Sequence, residues 1–206
     1  MPVLTRNQEH QQQREKQDVA YKLREDRVSE CAGMFPVFCT ANIPPNILDD
    51  FIDQAYEGFA DCVNDPGPSH ICPCILQTKD LDSIAHGSRK PMPKFESPFL
   101  NYTDDEIREW FKENICGRSH PDFAQSTFTI LDQDTVEKGV CRMGYVDGLD
   151  PDEDLRMIRT DPYVDLYIRP AIEECTEDWD DEVRAADGRV SDRRLLEREH
   201  AELNLA

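Results

Sequence analysis

A chain of 206 residues with 38% hydrophobic and 32% charged side chains carries enough apolar material for one core, and surface scaling has it bury roughly 70% of its extended surface. Asp and Glu number 43 against 23 Lys and Arg, a formal charge of -20, which argues against a nucleic-acid backbone as partner. No apolar run approaches the roughly 20 residues that span a bilayer, so no membrane partner is expected.

The opening MPVLTRNQEHQQQREK has no apolar segment of signal-peptide type, and a cytoplasmic location is the expectation. The eight cysteines then read as reduced thiols rather than as a disulfide framework. The sequon Asn101-Tyr102-Thr103 would matter only in a secretory compartment. Residues 1–32 form a polar, Gln-rich arm, helical or disordered, in which Val19, Leu23 and Val28 only hint at an apolar stripe. The six basic and six acidic side chains of residues 1–30 cancel, so the whole net charge lies beyond them.

The first strand is predicted over Met34–Thr40, with Pro36 placing it at or near a sheet edge. Pro44 and Pro45 open a helix whose Ile47, Leu48, Phe51, Ile52, Ala55 and Phe59 share one face. A turn cluster at Asn64–Pro68 leads to an apolar strand, His70–Thr78, and the strand-helix-strand order suggests a right-handed parallel crossover. Residues 79–102 lack periodicity and hold Pro91, Pro93 and Pro98, which makes a long loop of the lid, binding or disordered kind. Thr103-Asp104-Asp105-Glu106 is a capping box for a second amphipathic helix carrying Ile107, Trp110, Phe111 and Ile115. Strands are predicted at Ser126–Asp132, Val140–Val146 and Leu155–Arg159, the first two joined across Gln133–Gly139. Asp161 caps a last helix with Pro162 in its first turn, and Pro170 should kink or end it. The tail, residues 191–206, reads as a polar helix.

The predicted order is therefore β-α-β-α-β-β-β-α. It implies one α/β domain over residues 33–190, with a sheet part parallel and part antiparallel and α+β as the variant. The runs FTILDQDTVEKGVCRMGYV, LRMIRTDPYVDLYIRPAIE and DWDDEVRAADGRV, with the opening PVFCTANIPPNILDDFIDQA, resemble a family of small α/β proteins of bacteria and fungi known only as a domain of unknown function. The resemblance covers about Phe35 to Val190 and implies the fold. It supplies no catalytic residues.

Candidate chemistry is sparse. His70, Cys72 and Cys74 alternate on a strand, so all three project to one face, and Cys62 could complete a thiolate and imidazole set suited to zinc. The plainer reading is three ordinary core positions, because cysteine is among the most buried residues, and no cofactor is expected otherwise. Asp150, Asp152 and Asp154 alternate like the start of a calcium loop, yet Leu155 stands where glycine is needed and Asp161 where glutamate is usual. Cys116 lies close to Arg118 and His120 but follows a helix C-terminus, which disfavours a thiolate. Asp122, Asp132 and Asp134 could form paired carboxylates, but in so acidic a chain such pairs arise by chance. Arg89, Lys90 and Lys94 form a local basic cluster in the long loop, able to clamp an anion or simply to keep the loop soluble.

The densest charge feature runs from Asp147 to Glu182, with 14 acidic residues against Arg156, Arg159 and Arg169. Asp150, Asp152, Glu153, Asp154, Asp178, Asp180 and Asp181 are its candidate docking residues for a basic protein. The leading expectation is a soluble, acidic, non-enzymatic protein-interaction module. The alternative is a small metal-binding protein or enzyme that uses the His70/Cys72/Cys74 strand.

Overall fold

Met34–Cys39 (β1) is buried along its whole length and alternates two apolar faces. The computed structural model describes residues 33–63, 72–116, 122–146 and 156–173. Expectations placed on the arm, on His70, on Arg118 and His120, on the acidic loop 147–154 and on everything from residue 174 lie outside them. Pro45–Val63 (α1) follows β1 and returns the chain to Cys72–Ile75 (β2), which pairs parallel with β1 from Met34↔Cys72 to Val37↔Ile75. The predicted parallel crossover is thus present.

Asp104–Phe111 (α2) begins at the expected capping box, Thr103 accepting from the Glu106 backbone and Glu106 from that of Thr103. A π-helical turn, Lys112–Cys116, extends it, so that Ile107, Phe111 and Ile115 bury one stripe. Thr127–Leu131 (β3) then pairs parallel with the other side of β1, and Cys141–Tyr145 (β4) and Arg156–Thr160 (β5) add antiparallel neighbours, giving the sheet order β2-β1-β3-β4-β5. The chain is an α/β protein with a mixed sheet.

Two apolar layers sandwich this sheet. Val37 and Cys39 meet Leu48, Phe51 and Ile52 of α1 on one face, where Phe35 also meets Ala55. Met34, Phe38, Phe128 and Ile130 meet Ile107, Phe111, Ile115 and Phe99 on the other. Pro162–Glu173 (α4) shares the α1 face through Leu166. It approaches α1 so closely that a Cβ on Gly58 would lie 1.5 Å from the Tyr163 carbonyl oxygen, a contact only glycine permits. Among the described residues no helix is long and apolar enough to cross a membrane.

Four expectations change. Gln133–Lys138 (α3) is a short helix where a simple join between strands was expected. Asp132 and Thr135 cap it reciprocally and Gly139 ends it at φ 65°. Residues 79–102 are packed rather than lid-like: Leu81, Met92 and Phe99 are buried and Leu81–Ser83 makes a 3-10 turn. Asp161 caps α4 as predicted, accepting from the Tyr163 backbone at 2.9 Å, but the helix runs through Pro170 to Glu173. Pro170 cannot donate to the Leu166 carbonyl, and the helix continues only three residues past it.

The fourth is a narrowing: Pro36 lies near the sheet edge as expected, but on β1, one strand in and paired on both sides, rather than at the edge itself. The β1–β3 ladder is interrupted there: Met34 pairs with Phe123, and pairing resumes only at Val37↔Thr129. Three steps along β1 thus face six along the β3 segment. The alternation of the ladder points the missing Pro36 N–H into that interruption, where no partner is required of it.

Candidate functional site

Open α/β sheets place ligands beyond the carboxyl ends of their strands where the strand order reverses. Here that point lies between β1 and β3, and the chain fills it with itself. Ser97 donates its hydroxyl to the Cys39 carbonyl at 2.6 Å, and the Asn101 N–H donates to the Thr40 carbonyl at 2.9 Å. Phe99 lies buried between them, edge-on to Phe38 at 4.9 Å and to Trp110 at 4.8 Å.

The charged groups at the same end hold one another. Arg142 reaches Asp132 at 2.8 Å and Asp104 at 2.6 Å, while Arg159 and Lys138 each meet Asp134 at 2.9 Å. The Lys138 hydrogen bond, with nearby Arg159 and Arg142, keeps the Asp134 carboxyl below its ordinary range. Three carboxylates and three cations leave this cluster electrically closed. Asp132 and Asp134, dismissed at sequence level as chance neighbours, are its centre. The Asp132-x-x-Thr135 spacing was the signal that would have placed them at a helix start.

Cys72 and Cys74 do project to one face, and that face is apolar core shared with Met34, Phe38 and Leu76. Burial and the neighbouring Cys72 push the Cys74 thiol well up, and burial alone takes Cys39 to about 12. Burial, with Asp165 next, raises Cys141 too. In the metal-free chain such thiols stay protonated at neutral pH. Among the described residues no three His, Cys, Asp or Glu side chains gather as a metal site. His70 and the Cys62 side chain lie outside those residues. Cys116 donates its thiol to the Gln125 carbonyl. Of the basic cluster, Lys90 pairs with Asp53, Arg89 is half-buried and Lys94 is exposed.

The opposite, amino end of the parallel strands is organised differently. Asp165 and Arg169 stand one turn apart on α4, both fully buried, and pair at 3.0 Å. Thr129 donates its hydroxyl to Asp165 at 2.7 Å, and Arg169 donates to the Pro36 carbonyl at 3.3 Å while lying 4.7 Å from the Phe35 ring centre. Burial raises the Asp165 carboxyl against the pull of Arg169 and Thr129. An i, i+4 Asp–Arg pair in an apolar helix was the readable signal, and sequence reasoning passed over it.

This pair fixes the course of α4. Asp161 follows the carboxyl end of β5, Asp165 crosses mid-β3, and Arg169 reaches the first half of β1. The helix therefore runs back toward the amino ends of the parallel strands. β5 begins at that same end, since it lies antiparallel to β4 and thus parallel to β3. Residues 147–155 lead into β5 and hold five acidic and no basic residues; residues 174–182 leave α4 and hold six acidic and no basic ones. Both acid-only segments attach to the fold at one end of the sheet. Compared with protein-family models, with curated proteins and with solved structures, the chain finds no match.

Proposed function

We propose that this protein is a non-enzymatic interaction module that docks a basic protein partner through the acidic segments around β5 and α4. The observation that carries the reading is their common attachment: two segments holding eleven acidic and no basic residues join the described fold at the amino end of the sheet. Concentrated like charge raises the local potential and steers an oppositely charged partner, chiefly through the association rate. The carboxyl end of the sheet, where its charged groups pair with one another, offers no comparable run of like charge.

A fluorescent Lys/Arg-rich peptide, followed by anisotropy, tests the location. Replacing Asp178, Asp180 and Asp181 by Asn should weaken binding about tenfold, at roughly 0.5 kcal/mol per charge removed. Removing the same charge from exposed Asp105, Glu109 and Glu113 on and beyond α2 should change it less than about twofold. Raising salt should erase the difference between the two variants. Equal losses in both would reduce the effect to net charge and overturn the assignment.

A further inference from the structure

On its outer side β2 has no strand partner among the described residues, and the loop that follows the 3-10 turn folds back to cover it. The Ser88 N–H donates to the Pro73 carbonyl at 2.9 Å, and the Ile75 N–H donates to the Ser88 hydroxyl oxygen at 2.7 Å. Gly87 lies flat against the strand, where a Cβ would stand 2.5 Å from the Cys72 sulfur and 2.8 Å from its Cβ. Further along, the Met92 N–H donates to Asp49 at 2.8 Å and Lys90 pairs with Asp53, so the loop is fastened to α1 as well. Between loop and strand end lies a cavity of about 330 Å3, at the lower limit of the roughly 300–1,000 Å3 of small-molecule sites.

Its lining is chemically one-sided. Ile75, Ile84 and Met92 supply an apolar wall, Thr78 and Ser83 supply hydroxyls, and Arg89 and His86 supply cationic or donor nitrogens. None of the thirteen lining residues is Asp or Glu, in a chain where those two make up 43 of 206 residues. Since about one residue in five is acidic, thirteen positions would ordinarily include two or three. The guanidinium is the side chain best matched to a planar carboxylate or to phosphate oxygens. Its backbone is held by the Gly87 and Ser88 contacts, which limits the ordering cost of binding.

We propose that this cavity binds a small organic anion, an apolar body ending in a carboxylate or phosphate, with Arg89 as the anion-binding group and Thr78, whose hydroxyl oxygen accepts from the Asp80 N–H, as the hydroxyl donor. The site is independent of the acidic docking end and stands or falls without it. Amide chemical shifts of the isotope-labelled full chain, titrated with benzoate, with phenyl phosphate and with neutral benzamide, test it. At least one of the two anions should give saturable shifts centred on residues 83–89, and whichever binds tighter identifies the head group. Benzamide should bind roughly tenfold or more weakly, as should the better anion to Arg89→Gln, for loss of a charge-assisted hydrogen bond. Lys94→Gln, outside the lining, should bind as the parent does. Shifts that fail to saturate with both anions, equal binding of benzamide, or undiminished binding to Arg89→Gln would each overturn the assignment.

Discussion

The two ends of this sheet solve opposite problems. At the carboxyl end, Ser97, Phe99 and Asn101 plug the point where the strand order reverses, and Arg142, Arg159 and Lys138 cancel Asp104, Asp132 and Asp134 within a few ångströms. Toward the amino end one charge pair is buried outright, and the two segments that attach at that end carry eleven acidic and no basic residues in the sequence. The usual α/β site position is thus used for stability. The docking proposal rests on where the two acid-only segments attach as well as on their composition.

The largest effect of a single substitution is expected from Arg169→Met. Leaving Asp165 buried without its cation should cost about 3–5 kcal/mol in urea unfolding, whereas the double change Asp165→Leu/Arg169→Met should recover most of that loss. A single variant as stable as the parent would mean that α4 is not fastened by this pair.

Alkaline pH probes the carboxyl end, where Cys39 closes β1 and Cys141 opens β4. Cys39 titrates near 9.0 when unfolded and near 12 when folded, so the unfolded chain loses its proton first as pH rises. Stability should hold below pH 9 and fall between pH 9 and 12, by on the order of 1 kcal/mol per pH unit for each such thiol. Cys74 and Cys141 shift in the same direction and add to the loss. Urea midpoints that stay level from pH 8 to 10.5 would contradict the buried, protonated state.

The smallest effect is expected from Arg142→Gln. Its side chain is 19% exposed and serves two carboxylates that keep other partners or water, so about 1–2 kcal/mol is expected in the same unfolding assay. A loss equal to that of Arg169→Met would erase the distinction between the two ends.

Much of the architecture is legible in the sequence because apolar periodicity and capping chemistry are local. The stripe of α1, the box at Thr103 and the cap at Asp161 all stand where expected. α3 escaped because QDTVEK has no apolar stripe and is held only by its caps. Pro36 by itself marks only nearness to an edge, because its tolerance in a strand paired on both sides depends on an interruption 87 residues further along the chain, at Phe123. The cavity was foreshadowed only by Arg89, since its walls come from segments that sequence spacing does not relate. The alternating cysteines were correctly put on one face, but no pattern of three residues says whether that face meets solvent or core.

The bond from Arg169 to the Pro36 carbonyl spans 133 residues and joins the first described strand to the last described helix. The two ends of the described fold are thereby tied to each other, and a chain cut before α4 would leave the Pro36 carbonyl without its Arg169 donor and Phe35 and Ala55 without Leu166 as cover.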